Sequence, residues 1–192
     1  MNRRVLNVPG HGNSGATHWQ SIWEVTKPGH WRRMKVDDWQ HAVCDEWVTA
    51  IHREIEALGP DTIIVAHSLG CLALAHWAAQ HAVAIRGALL VAVPDPSAPA
   101  FPRAFCTGFS PVPLTRLPFR SIVVASNDDV YATIDYARYH ANKWGSAFVD
   151  AGARGHLNAD SQLDDWAQGY GLLQHFDAAQ FIGDIAPGGT AF

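Results

Sequence analysis

The sequence has few charged residues and no cluster of basic ones. Charged residues make up 17% of the 192 residues, and 14 Lys and Arg against 18 Asp and Glu give a formal net charge of −4. A nucleic-acid-binding surface needs clustered Lys and Arg to neutralise phosphates, so we expect no nucleic-acid partner. A long hydrophobic run is also missing: the longest apolar stretch, residues 82–94, is interrupted by Arg86 and is shorter than the ~20 residues of a membrane-spanning helix. We therefore expect no membrane partner.

Cysteine is scarce as well. Cys44, Cys71 and Cys106 lie far apart and form no CxxC pair, which does not fit a disulfide framework. Free thiols are typical of a reducing compartment, and the first residues contain no secretory apolar segment, so we predict a cytoplasmic protein. The histidines form no His-Glu-x-x-His pattern and no close cluster with cysteine. We therefore expect no metal and no cofactor.

Short apolar runs alternate with longer amphipathic ones along the chain. This pattern predicts an α/β fold, a three-layer sandwich of a mainly parallel sheet with helices on both faces and no large lid domain. We expect one domain over residues 1–182 and a loosely ordered tail over 183–192. The strands are expected at 4–8, 62–66, 85–93, 121–126 and 147–150, with a weaker edge strand at 30–36, and the helices at 41–58, 69–81, 133–144 and 163–181, the last broken near Gly169 and Gly171.

Residues 94–118 differ from the rest of the chain. They hold seven of the eleven prolines, with Phe101, Phe105 and Phe109 spaced four residues apart. We predict a long ordered loop with a short helix, since loops of this length are functional or disordered. Phe101 and Phe105 are candidates for the wall of a substrate pocket, although core packing would produce the same pattern.

A nucleophile elbow is predicted after the strand at 62–66. Ala66, Ser68 and Gly70 provide the small-x-Ser-x-small spacing that a tight strand-to-helix turn requires. Such a turn exposes the serine hydroxyl and directs the N–H of the next residue, Leu69, at a developing oxyanion. The alternative is that Ser68 only caps the following helix.

A serine needs a base and an acid that orients it, and both follow later strands. Asp128 and Asp129 come after the strand at 121–126, and His156 comes after the strand at 147–150. The order serine, acid, histidine is that of α/β hydrolases, and parallel strands bring their carboxyl ends to one edge. Spacing alone does not decide between Asp128 and Asp129.

The loop after the first strand is rich in glycine and can bring backbone N–H groups close to a substrate oxygen. The His11 N–H is the expected second oxyanion donor, with the Gly12 N–H as its rival. A phosphate-binding loop is not indicated, because no Gly-Lys-Ser/Thr follows. Further candidates for the substrate pocket are Asn13, His18 and His67, although His67 could instead point into neighbouring helices.

These motifs together resemble the retinoblastoma-binding protein 9 family of small, YdeN-like serine hydrolases. The likeness extends from residue 5 to about residue 175 and rests on PGHGNSG at 9–15, HWQS at 18–21, DDW at 37–39, DEW at 45–47, AHSLGC at 66–71, ASNDD at 125–129, GHLNA at 155–159 and Trp166. It implies a minimal α/β hydrolase acting on ester-type bonds. It also implies that Asp129 is the acid, although Val130 replaces the proline usual in the family. The segment 42–46 has Ala42 where a retinoblastoma-binding motif needs leucine, so we predict no such protein partner.

The sequence therefore predicts a serine hydrolase that cleaves small carboxylic esters, and possible substrates extend to amides and thioesters. Ser68, His156 and Asp129 would carry the reaction, and the substrate would be a small molecule. Two alternatives remain open at this stage. One is a non-catalytic protein-binding module on a hydrolase fold, and the other is an acyltransferase using the same triad.

Overall fold

The computed structural model describes residues 3–177, and its centre is a six-stranded parallel sheet in the order β2-β1-β4-β5-β7-β8. A separate pair of two-residue strands, β3 and β6, is also parallel. The strands are β1 Arg4–Val8, β2 His30–Arg33, β3 Ala42–Val43, β4 Thr62–His67, β5 Gly87–Val91, β6 Cys106–Thr107, β7 Ser121–Ala125 and β8 Ala147–Asp150.

Helices cover both faces of the sheet, as the alternating sequence pattern predicts. The central strands β4, β5 and β7 are buried along their whole length, which explains their continuous apolar runs. Successive residues of a strand face opposite layers: Leu6 packs with one core cluster and Val5 with the other. The helices are α1 Trp19–Thr26, α2 Cys44–Leu58, α3 Leu69–Gln80, α4 Ile134–Trp144 and α5 Ala167–Leu172.

The predicted three-layer α/β class is confirmed, and within residues 3–177 no lid domain interrupts the strands. The layer formed by α2, α3 and α4 contains Trp47, Trp77 and Trp144. The opposite layer, with α1 and α5, contains Trp19 and Trp23. The predicted boundary at residue 182 and the tail at 183–192 lie outside the described residues.

Several predicted boundaries were wrong. Helix α2 begins at Cys44 and not at residue 41, because the Ala42 N–H donates to the Phe105 carbonyl (2.8 Å) at the start of the β3–β6 pair. Residues 94–118 contain no helix; β6 lies there instead. The last helix begins only at Ala167; Gly169 lies inside it, and it ends at Leu172, one residue after Gly171, where a 3₁₀ helix Leu173–Phe176 follows.

The strand order puts a topological switch point between β1 and β4. The chain moves outward from β1 to β2, then returns to place β4 on the other side of β1. Ligands of parallel α/β sheets bind at such points, beyond the carboxyl ends of the strands. Here those ends carry the glycine-rich loop after β1 and the turn that contains Ser68.

Candidate active site

Ser68 occupies a strained turn between β4 and α3. Its backbone has φ 53° and ψ −124°, a region that residues with a side chain rarely adopt, and its side chain makes no capping hydrogen bond. The backbone is held by the Ser68 N–H, which donates to the Val91 carbonyl at 2.9 Å. The capping alternative therefore has no support, and the turn geometry is that of a nucleophile elbow.

Two glycines allow the chain to pass close to this turn. A Cβ on Gly70 would collide with the carbonyl oxygens of Val8 and Pro9, the latter at 2.6 Å. A Cβ on Gly10 would lie 2.8 Å from the Ser68 Cβ. The loop after β1 therefore packs directly against Ser68, and it can do so only because both positions lack side chains.

We expect Gly70→Ala to lower the free energy of unfolding by about 1–3 kcal/mol, since the new methyl group meets rigid backbone oxygens. Gly171→Ala is the matched control, because a Cβ there has no neighbour within 4 Å. Within helix α5 that substitution should be neutral or gain up to about 1 kcal/mol through helix propensity. Urea denaturation of both variants measures the difference, and equal stabilities would contradict the packing argument.

His156 lies between Ser68 and Asp129. Its Nε2 is 2.7 Å from the Ser68 Oγ, and its Nδ1 is 2.8 and 2.9 Å from the two carboxylate oxygens of Asp129. The Asp129 side chain is only 3% exposed. A carboxylate only accepts, so Nδ1 carries the proton and Nε2 has a lone pair for the serine hydroxyl. Such a chain of contacts can take the proton from a serine as it attacks a carbonyl carbon.

Asp128, the alternative acid, is turned toward the backbone of the neighbouring loop. Its carboxylate accepts the Ser126 hydroxyl at 2.6 Å and the Gly155 N–H at 2.7 Å. These two hydrogen bonds, that of Ser126 first, hold the pKa of Asp128 below its ordinary value. Ser126 in turn accepts the Arg154 N–H at 2.8 Å. Asp128 thus braces the loop that leads to His156 and is hydrogen-bonded to that loop rather than to the imidazole.

The expected oxyanion donors come from the start of α3 and from the loop after β1, on the other side of the site. Leu69 is the first residue of α3, so its N–H has no acceptor within the helix. The Gly12 N–H donates to the Trp39 carbonyl at 2.9 Å, which makes it unavailable to a substrate and removes it as an oxyanion donor. His11 lines the cleft, and its ring is held by the Gln40 carbonyl at 2.7 Å.

Arg33 braces this loop from β2. Its guanidinium donates to the Asn13 side-chain oxygen (2.9 Å) and to the Ser14 carbonyl (2.8 Å). The remaining N–H groups donate to Ser21 and to both carboxylate oxygens of Glu24. The sequence analysis missed Arg33, because nothing in the sequence of β2 indicates that this side chain reaches the loop after β1.

A cleft of about 230 Å³ opens beside Ser68 and His156. Of the predicted pocket residues, Asn13, His18, His67 and Phe101 line it. Pro94 and Pro102, from the segment predicted to form a pocket wall, also line it. Lining residues that were not predicted as pocket residues are Tyr131, Asn158 and Ala159. Tyr131 and Asn158 had a usable signal, since each follows a predicted acid or base by two residues.

Phe105 is not among the lining residues of the cleft, so its prediction as a pocket residue was wrong. The Phe105 side chain is 48% exposed, with its ring 5.7 Å from that of His41. Its carbonyl group accepts the Ala42 N–H at the start of the β3–β6 pair, as noted above. Phe101 is buried in the cleft wall, whereas Phe109 packs on Trp47 in the core. The spacing of four residues therefore reflects no helical stripe: Phe101 and Phe109 belong to one core cluster, and Phe105 is exposed.

Two buried histidines adjoin His156. The His67 Nε2 donates to the His156 carbonyl at 3.0 Å, and burial holds the pKa of His67 well below its ordinary value. Burial, then the nearby charge of Arg33, lowers the pKa of His18 to about 4. Both rings are therefore neutral near pH 7 and add no charge to the site.

The cysteines are poor nucleophiles. Burial raises the pKa of the Cys71 thiol, which lies behind Ser68 in α3, and raises that of Cys44 to about 12 and that of Cys106 to about 11.

Over residues 3–177, no group of three or more His, Cys, Asp or Glu side chains has the arrangement of a metal site. No helix in that range is both long and apolar enough to cross a bilayer.

Comparison with known proteins agrees with this geometry. Residues 5–175 match the family described as serine hydrolase. A YdeN-like hydrolase from Pectobacterium atrosepticum is 32% identical, with 92% of this chain and 90% of that chain covered and a TM-score of 0.77.

More distant structures share the fold. The ydeN gene product of B. subtilis is 19% identical over 92% of this chain and 99% of its own, with a TM-score of 0.77. An esterase domain from Rhodothermus marinus is 14% identical over 91% of this chain and 87% of its own, with a TM-score of 0.66. No curated protein matches the chain.

Proposed function

Because the chain belongs to the family of YdeN-like serine hydrolases, we propose that it cleaves small carboxylic esters through an acyl-enzyme formed on Ser68. The observation that carries this proposal is the 2.7 Å contact between the Ser68 Oγ and the His156 Nε2, in a chain of contacts that ends on buried Asp129. A serine without such a base would be inert near pH 7.

In the proposed reaction the Ser68 Oγ attacks the ester carbonyl carbon while His156 takes its proton. Asp129 keeps the imidazole in the tautomer with a proton on Nδ1 and stabilises the imidazolium that forms. The N–H groups of Leu69 and His11 hold the oxyanion of the tetrahedral intermediate. The intermediate collapses as His156 gives its proton to the leaving alcohol. Water, activated by His156, then releases the acid and restores Ser68.

The size of the cleft favours small substrates. Its volume of about 230 Å³ is below the ~300–1,000 Å³ typical of sites for drug-sized ligands. The esterase activity of the Rhodothermus marinus domain, which has the same fold, favours an ester over an amide. Amides and thioesters would use the same groups. The buried free thiols Cys44, Cys71 and Cys106 support a reducing compartment, and we propose the cytoplasm.

The test is labelling with a fluorophosphonate, read by intact mass. We expect one adduct on the wild type, none on Ser68→Ala, and an unchanged adduct on Ser97→Ala, which removes an exposed hydroxyl elsewhere. A folded wild type that takes no adduct would refute the proposal and leave the protein-binding module. If labelling succeeds, partition of the acyl-enzyme between water and added alcohols separates a hydrolase from an acyltransferase.

A further inference from the structure

Asn13 offers the cleft only a hydrogen-bond donor. Its side-chain oxygen accepts its neighbour's backbone N–H, from Ser14, at 2.7 Å and the Arg33 guanidinium at 2.9 Å. Both partners are donors, so the identity of this oxygen is fixed and the amide NH₂ is the group that remains. Asn13 lines the cleft and has φ 68°, a conformation that asparagine tolerates.

Asn158 repeats this arrangement on the other side of the site. Its side-chain oxygen accepts the Asp160 N–H at 3.1 Å and the Ser161 hydroxyl at 3.4 Å, in a capping box at the start of the 3₁₀ helix Ala159–Ser161. The side chain again keeps only its NH₂ for a ligand. Asn158 also lines the cleft, two residues beyond His156.

His18 is a third side chain with one donor left. Its Nδ1 accepts the Gln20 N–H at 3.1 Å, which requires a lone pair there. The ring is neutral near pH 7, as described above, so its proton is on Nε2. That Nε2 is buried and has no hydrogen-bond partner, although His18 lines the cleft. A buried N–H without an acceptor is costly, which makes the His18 Nε2–H a candidate donor to a ligand in the cleft.

The rest of the cleft wall, over residues 3–177, is uncharged, so no carboxylate side chain of the wall accepts hydrogen bonds from these donors. In the described part of the chain, no Asp, Glu, Lys or Arg side chain lines the cleft. His67 is directed at the His156 carbonyl through its Nε2. Asn13, Asn158 and His18 therefore give the cleft three uncharged side-chain hydrogen-bond donors.

We infer that the substrate carries, beyond the reacting ester, an oxygen-rich acceptor group, best a carboxylate, that accepts hydrogen bonds from Asn13, Asn158 and His18. This inference rests on the proposed ester hydrolysis. Donors of a neutral amide bind an ionised oxygen more strongly than a neutral one. An apolar group of the same shape would leave the donors unpaired, which lowers kcat/KM.

The test compares monoethyl fumarate with its isostere, in which an isopropyl group replaces the carboxylate. The trans double bond prevents the carboxylate from attacking its own ester. We expect the wild type to favour the fumarate by about tenfold or more in kcat/KM. A second pair, the acetates of p-hydroxybenzoate and p-isopropylphenol, puts the acceptor on the alcohol side. Preference in one pair or in both supports the inference and identifies the side that is recognised.

Matched variants test the residues. Asn13→Asp and Asn158→Asp keep the side-chain oxygens that the protein uses but replace the donor NH₂ by a second acceptor. We expect each to lower the preference for the carboxylate by about tenfold or more, because the two carboxylates repel. Asn142→Asp makes the same change on the exposed surface of α4 and should leave both the activity and the preference unchanged. Comparing each ratio with the wild type cancels the intrinsic reactivity of the esters.

Three results would overturn the inference while the proposed hydrolase stands. The first is a wild-type ratio near one in both pairs, and the second is an unchanged ratio in both Asn→Asp variants. Failure to turn over any of the four esters, in a protein that the fluorophosphonate labels, would also overturn it. Absence of both turnover and label would instead refute the proposed function.

Discussion

Replacing Asp129 by asparagine is expected to lower kcat for an activated ester by about 10⁴-fold. The two carboxylate oxygens of Asp129 accept the His156 Nδ1 proton at 2.8 and 2.9 Å. An asparagine of the same shape can turn its NH₂ to Nδ1, which then becomes an acceptor and moves the proton to Nε2. With that tautomer, His156 has no lone pair to take the proton of Ser68. The measurement is kcat on p-nitrophenyl acetate.

Asp128→Asn is the matched control, since it makes the same change one residue earlier. Its side-chain oxygen can still accept the Ser126 hydroxyl and the Gly155 N–H, so the loop before His156 remains braced. We expect a loss of about tenfold or less, from weaker hydrogen bonds to a neutral oxygen. A larger loss in Asp128→Asn than in Asp129→Asn would reverse our assignment of the acid. Melting curves of both variants exclude loss of the fold as the cause.

The choice between these two aspartates shows where sequence reasoning ends. Both follow β7, and both can reach toward the loop after β8. What separates them is the backbone after β7, which turns Asp129 inward to His156 and Asp128 toward Gly155. That difference depends on contacts between residues 27 positions apart, such as those of Asp129 with His156. The resemblance to a known family favoured Asp129, whereas spacing alone did not decide.

The parallel sheet was predictable because its central strands β4, β5 and β7 are continuous apolar runs that are buried along their whole length, and β4 and β7 are rich in β-branched residues. The short elements β3, β6 and α1 were not predictable, and the reasons differ. Strands β3 and β6 have two residues each, too few to show a periodicity, and they pair across more than sixty positions. Helix α1 was missed because it has eight residues and is capped by a histidine, His18, which is not among the residues that usually mark a helix start.

Helix α5 shows how side-chain packing overrides helix propensity. Gly169 and Gly171 predict a helix break; α5 does end at Leu172, one residue after Gly171, but it passes through Gly169 without interruption. A Cβ on Gly169 would overlap the ring of Trp166, with the Cε2 atom at 2.6 Å. The absence of a side chain at Gly169 leaves room for the Trp166 ring, which packs on Trp19 in the core. Helix propensity alone marks glycine as a helix breaker. Only the packed structure shows that Gly169 makes room for a large neighbouring side chain.

Acid is expected to destabilise the protein through His18. Its pKa is about 4 in the folded state and 6.5 ordinarily, because the ring is buried and lies near Arg33 and His156. Between these values the unfolded chain binds a proton that the folded chain does not, so the stabilisation is complete above pH 6.5 and is lost as the pH falls toward 4. One pKa unit corresponds to about 1.4 kcal/mol, so the full loss is about 3 kcal/mol and the loss from pH 7.5 to pH 5 is about 2 kcal/mol.

The neighbours of His18 strengthen this expectation. His67, whose ring centroid is 4.8 Å away, also has a lowered pKa and adds a loss of the same sign. His18→Asn keeps the capping acceptor for the Gln20 N–H and removes the titrating ring. Its free energy of unfolding, from urea denaturation at the two pH values, should fall by about 2 kcal/mol less than that of the wild type. His30→Asn removes an exposed ring and should keep the wild-type pH dependence. An unchanged slope in His18→Asn would mean that this ring is not held neutral by the fold, and the tautomer deduced for the cleft would lose its electrostatic support.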